Sequence, residues 1–365
     1  MKSIVKSLLV AVAALTAYGD ALACTAAVVA AKASKEGATI LWKNRESDYY
    51  RTSIRHLKSE KYSYTGVVRT NDPDAGVLCG VNEVGFGIVN TATRNLPTSD
   101  KPGTGSRTPF MRDALIHCRT VDEFEEYVRG YERGAKFTTN VGVGDATGAA
   151  AFFEIWGDGY RRYDVHTQER GYDVRTNFSF AGDDSKRGAS ERRYNTVMKQ
   201  LEGRKNITTL DMLNLSRSFF SAAKGEILED DKTHLDQNWC VPRRASVGSM
   251  VLVCDKENPR MDIILGNPVA GIAVPVWVKN GHRIPRCIAG PESMELGKRY
   301  TQKAYVRKNK RGWALNKPLI REVLAAQTRV KIPTRPPKNI TRFNAKIDET
   351  FDRHRAKIDK ILLKY

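Results

Sequence analysis

Ala21-Leu22-Ala23-Cys24-Thr25-Ala26-Ala27-Val28-Val29-Ala30-Ala31 is the stretch on which the fold and chemistry of this chain turn. Its first three residues place small alanines at the two positions a signal peptidase reads, so cleavage is expected before Cys24. The residues after Cys24 are an apolar run of strand length. Upstream, Lys2 and Lys6 form a positive n-region, and residues 8–17 are apolar over about half the length of a membrane span. Residues 1–23 are therefore expected to be a signal peptide and the protein to be exported, to the periplasm or outside the cell. Cys24 then becomes the first residue of the mature chain.

A terminal cysteine carries its thiol beside a free α-amine, with reference pKa values of about 8.5 and about 7.7–8.0. The amine is partly neutral near pH 7 and can act as base for its own thiol, so no catalytic histidine is required. None of the six histidines lies in a motif-like context. A lipoprotein signal would also place a cysteine here, and lipidation would consume both groups. Such a signal wants Leu three residues before the cysteine and a small residue two before it, where this chain has Ala21 and Leu22.

Outward from Cys24, the run continues through the turn Lys35-Glu36-Gly37 into residues 38–42, which predicts a hairpin. Residues 76–82 and 86–90 repeat the pattern around Asn82-Glu83-Val84-Gly85. Helices are expected over 108–117 and 120–131, the second opening on the capping box Thr120-Val121-Asp122-Glu123. Strands follow at 141–144, 150–156 and 160–165, helices at 190–201 and 209–222, and a hairpin at 247–254 and 261–265. Blocks of strands and blocks of helices, rather than strict alternation, predict an α+β fold with antiparallel sheets layered by helices.

With 365 residues, 41% hydrophobic and 28% charged, the composition is that of a globular chain and excludes a disordered one. The net charge of +19 is uneven. Residues 298–365 hold 20 basic and 5 acidic side chains, or +15 of the total. This tail is expected to be helical from Lys317, with Pro318 in a first turn, and to end in a long helix. Ile340, Phe343, Ile347, Phe351, Ile358 and Leu362 share one stripe of it. Two readings stay open: the stripe packs on the domain, or the basic face meets an anionic envelope surface. Nucleic acid is not expected as a partner, because no nucleic-acid module is recognisable. The six cysteines show no C-x-x-C pair, so no metal is expected. Cys79 and Cys254, inside apolar runs, read as small buried hydrophobes.

Several motifs, in order, resemble the cysteine N-terminal nucleophile hydrolases. These are Cys24-Thr25, residues 35–41, Lys43-Asn44-Arg45-Glu46, residues 80–87 (GVNEVGFG), Arg175-Thr176-Asn177-Phe178, residues 190–194 (SERRY), Ser246-Val247-Gly248-Ser249 and Leu265-Gly266-Asn267-Pro268. The nearest branches are the choloylglycine hydrolase, penicillin acylase and acyl-CoA:6-aminopenicillanate acyltransferase group. The resemblance implies a four-layer αββα sandwich over residues 24–297, with residues 298–365 as a helical extension. It also implies a small-molecule linear amide as substrate, a thioester on Cys24, and no cofactor. By position it makes Cys24 the nucleophile, Glu46 the acid that orients amine and thiol, and Lys43 the cation near the sulfur, with Arg45 as the alternative cation. Asn90 and Asn177 become oxyanion donors and Arg193 the support of the nucleophile loop. Read without the resemblance, Lys43, Arg45 and Glu46 are a solvated charge cluster at a strand end, Asn90 and Asn177 turn residues, and Arg193 part of an exposed basic helix face. A cysteine dipeptidase of the sister family, and a lipid-anchored envelope protein without catalysis, remain as alternatives. The oligomeric state is not legible.

Overall fold

The computed structural model describes residues 24–72, 74, 76–97, 105–134, 136–228, 239–305 and 312–364; the expected signal peptide, residues 1–23, lies outside them. β1 (Thr25–Val29) and β2 (Thr39–Glu46) pair as the expected hairpin, with Gly37 at φ +68° in the turn. β2 runs four residues beyond the expected end at Trp42. It is flanked by partners on both sides, so its backbone groups stay bonded through the charged segment.

A seven-stranded antiparallel meander follows in chain order: β3 (Thr52–Leu57), β4 (Tyr64–Arg69), β5 (Cys79–Asn82), β6 (Gly87–Ala92), β7 (Thr139–Gly144), β8 (Ala150–Trp156) and β9 (Gly159–Asp164). Between β6 and β7 lie helices α1 (Arg107–His117) and α2 (Val121–Gly130). Thr120 caps α2 by accepting from Glu123 N at 3.1 Å. The Glu123 carboxylate accepts from Arg119 N at 2.7 Å rather than from Thr120, so the capping box is displaced by one residue. The sequence reading missed β3 and β4; β3, at the sheet edge, carries Arg55 and His56 on its less buried part.

β10 (Tyr172–Arg175) returns to β1. Helices α3 (Ser190–Leu201) and α4 (Thr209–Leu215) precede a small ribbon of β11 (Phe220–Ser221) and β12 (Glu226–Ile227). The helix expected over 209–222 ends at Leu215. Just beyond it, buried Arg217 donates to the carbonyls of Pro268 and Gly271 and to Gln327 Oε1, which draws the chain away from the helix path. β13 (Ser246–Cys254), β14 (Arg260–Leu265) and β15 (Val274–Trp277) complete a six-stranded antiparallel sheet of order β10-β1-β2-β13-β14-β15.

Two-residue alternation assigns each face. Ala26, Val28 and Leu41 of the six-stranded sheet meet Val67, Val81, Val89 and Phe152 of the meander in one core. Ala27, Val29, Ile40 and Trp42 point the other way, under α3 and α4. Phe110, Leu115, Phe124 and Val128 of α1 and α2 cover the far side of the meander. The layers are helix, sheet, sheet, helix. The sheets approach closely at Gly142, where an added Cβ would stand 2.9 Å from Val28 Cγ2 across the interface.

The remaining helices are α5 (Arg286–Ala289), α6 (Glu292–Ala304), α7 (Gly312–Gln327) and α8 (Ile340–Lys364). Leu296 and Tyr300 of α6, Leu319 and Val323 of α7, and Ile347, Phe351 and Ile358 of α8 join the core between the sheets. The expected boundary at residue 298 thus falls inside α6. Pro318 lies within α7 rather than in a first turn. Five of the six stripe residues of α8 are buried, and the sixth, Phe343, stacks edge-on against Trp277 at 5.8 Å. Cys79 and Cys254 are fully buried thiols, as their apolar contexts predict.

Candidate active site

The parity that sorts β1 and β2 also sorts the site. Cys24 immediately precedes β1, where strand alternation would set it on the side of Ala26, and it is partly exposed. On β2, Leu41, Lys43 and Arg45 share the inner side, whereas Asn44 and Glu46 face the α3 layer. The segment Lys43-Asn44-Arg45-Glu46 is entirely buried. It is not a solvated cluster, because each charged side chain finds partners inside.

On the inner side, Lys43 Nζ donates to Leu78 O at 2.7 Å and to Asn90 Oδ1 at 2.6 Å. Burial holds the Lys43 ammonium below the ordinary lysine range, and negative charge on Cys24 opposes that shift. Arg45 is likewise lowered by burial and raised by Cys24; its Nη1 donates to Tyr49 O at 3.3 Å. Tyr49 also lines a cavity of 580 Å³ with Tyr50, Pro291 and Met294. Arg107, exposed at the start of α1, is lowered by desolvation and raised by Cys24. Charge on the sulfur is thus felt by three cations. The neighbouring Cys79 thiol is pushed up to about 11 by burial, so it stays protonated.

On the outer side, the Glu46 carboxylate lies 3.0 Å from Arg243 Nη1 and 3.5 Å from Arg193 Nη1, all three side chains being buried. Arg193, on α3, holds several groups together. Its Nη1 donates to Cys24 O at 3.3 Å and Thr25 Oγ1 at 3.4 Å, and its Nη2 to Asn177 Oδ1 at 2.8 Å. The Cys24 thiol points toward the Glu46 carbonyl at 3.9 Å.

The two asparagines are oriented alike. Asn90 gives its oxygen to Lys43 and donates through Nδ2 to Thr139 Oγ1 at 3.3 Å. Asn177 gives its oxygen to Arg193 and donates through Nδ2 to Ala92 O at 2.7 Å. In each case a cation fixes which end of the amide is the donor, and an NH₂ group has a second N–H to offer. The loop carrying Asn177 is itself clamped. Glu154, fully buried on β8, accepts from Phe180 N at 2.9 Å, Ala181 N at 2.7 Å and Arg175 Nε at 2.7 Å. Asn140 Nδ2 donates to the carbonyls of Thr176 and Phe178.

Cys24, Glu46, Asn177 and Arg193 are therefore joined through the Arg193 guanidinium, while Lys43 and Asn90 form a second hydrogen-bonded pair on the inner side of β2. Sequence reading missed Arg243. Only the pairing of β13 with β2, which sets Ser246 opposite Glu46, brings Arg243 there, and nothing local in Pro242-Arg243-Arg244 announces it. Arg107, the first residue of α1, was also missed, being remote from Cys24 in the chain. Among the described residues, no three His, Cys, Asp or Glu side chains gather as metal ligands.

The chain matches no family model and no curated protein sequence. Among solved structures it is similar to an N-acylethanolamine-hydrolyzing acid amidase ortholog of Caenorhabditis elegans (17% identity, 63% of this chain and 92% of that one, TM-score 0.43). It is also similar to a mutant form of conjugated bile acid hydrolase from Clostridium perfringens (13%, 70% and 92%, 0.45) and to penicillin V acylase from Agrobacterium tumefaciens (13%, 70% and 86%, 0.42).

Proposed function

We propose that the protein is an exported cysteine amidohydrolase, made active when removal of residues 1–23 frees the α-amine of Cys24. The observation that carries this reading is the single guanidinium of Arg193, which touches Cys24 O, the Glu46 carboxylate and Asn177 Oδ1 together. A nucleophile, an acid and an oriented amide donor are held by one buried group.

The chemistry runs through one residue. The Cys24 amine takes the thiol proton, and the thiolate attacks the carbonyl carbon of a linear amide, non-peptide or short peptide. Negative charge moves to the carbonyl oxygen, where the second N–H groups of Asn90 and Asn177 can donate. The tetrahedral adduct collapses, the C–N bond breaks, and the ammonium of Cys24 returns its proton to the leaving amine. Water then cleaves the thioester and regenerates the thiol, or an acceptor amine takes the acyl group instead.

The test combines the mass of the mature N-terminus with turnover of a chromogenic linear amide and trapping of the acyl group by hydroxylamine. The expected result is a chain beginning at Cys24 that yields a hydroxamate, and a correctly processed Cys24→Ser variant that folds but releases almost no amine. Unchanged turnover in that variant, or a lipid mass on Cys24 in the active protein, overturns the reading.

A further inference from the structure

The last helix is two-faced in a way its sequence alone does not reveal. α8 carries four carboxylates, and three of them turn toward α5 and α6. Asp348 accepts from the backbone N–H groups of Arg286 and Cys287, Asp352 pairs with Arg286 at 2.8 Å, and Asp359 pairs with Arg299 at 3.0 Å. Burial of Ile347, Phe351, His354, Ile358 and Leu362 fixes the rotation of the helix.

What remains outward follows helical geometry. At 100° per residue, Arg342, Lys346, Glu349, Arg353, Ala356, Lys360 and Lys364 fall within about 40° of one line, opposite the buried stripe. All seven are exposed. The one carboxylate among them, Glu349, is matched by Arg353 at 3.3 Å. Arg342, Lys346, Lys360 and Lys364 make no ion pair among the described residues. They are set along about 33 Å of a straight helix. Arg335 and Lys338, exposed just before the helix, extend the same sign of charge, and Leu363 is 84% exposed beside Lys364.

We infer that this outward face is a docking surface for an anionic phospholipid bilayer. The helix is packed along its opposite face, so it offers a nearly flat line of cations rather than a protruding element. Flat contact suits a charged plane. A groove reader must enter between two strands of nucleic acid, and a single-strand binder needs aromatic side chains among its cations; this face has none. Long lysine and arginine stems can reach headgroup phosphates while the helix stays on the protein. The inference is independent of the chemistry assigned to Cys24.

Vesicle sedimentation of the full mature protein tests it, with phosphatidylcholine containing 30% phosphatidylglycerol against phosphatidylcholine alone, at low and at high salt. Binding is expected only to the anionic vesicles and to weaken as salt rises. The variant Arg342→Glu, Lys346→Glu, Lys360→Glu, Lys364→Glu should melt like the parent and bind at least about a hundredfold more weakly, since each basic residue near an anionic surface is worth about fivefold. A control with the same change of net charge elsewhere (Lys58→Glu, Lys136→Glu, Lys205→Glu, Lys256→Glu) should keep most of the affinity. Equal loss in the control, equal binding to uncharged vesicles, or tighter binding to duplex DNA at the same salt overturns the inference.

Discussion

Removing the Glu46 carboxylate should reveal how much of the site's order is electrostatic. Glu46 and Arg193 are almost completely shielded from water, and Arg243 nearly so. Glu46→Ala would leave two guanidinium groups buried side by side with their shared acid gone. Breaking a buried ion pair by deleting one partner costs about 3–5 kcal/mol. At about 2 °C per kcal/mol for a chain of this size, the melting temperature should fall by roughly 6–10 °C. Arg243→Met added to Glu46→Ala removes one of the repelling cations and should regain part of the loss, with a coupling of about 0.5–3 kcal/mol. Differential scanning calorimetry gives the stabilities, and iodoacetamide alkylation of Cys24 gives the local geometry. A Glu46→Ala protein melting within about 2 °C of the parent, or strictly additive effects in the double variant, would refute the account of a shared buried acid.

Asn177→Ala should lower kcat by about 10²–10³ if its amide stabilises the oxyanion, and lower the melting temperature by about 2–6 °C because Arg193 Nη2 and Ala92 O lose a buried partner; a change confined to KM argues against that role. His354 makes the acid branch of stability testable. It is buried, with Nε2 2.8 Å from Ala270 O, faces Glu322 at 3.8 Å, and has Lys357 and Arg217 as neighbouring cations. Burial is the largest cause holding its pKa below the ordinary histidine value. The unfolded chain therefore binds the proton first, so the stability this neutral histidine supplies is complete above pH about 6.5 and is lost as pH falls through the lower folded value. His354→Gln should flatten the decline in melting temperature between pH 7.5 and 5; an unchanged decline would assign it to other groups.

What the sequence determined by itself is what one-sided burial writes locally. A strand with one face in a core alternates and a helix against a core repeats every three to four residues, so the hairpin at Cys24, the strands of the 139–164 region and the buried stripe of the last helix can be read from neighbours in the chain. Partner choice between strands is not local, and the site depends on it. β13 lies against β2 across some two hundred residues, and that pairing turns Lys43-Asn44-Arg45-Glu46 from an apparent surface cluster into a buried row, with Lys43 and Arg45 on one side and Glu46 on the other. It also delivers Arg243 to Glu46. The same holds for the tail, whose stripe announces burial but not its place. Packing against α5, α6 and α7 sets the rotation of α8, and with it which charges are turned inward and which are left to solvent.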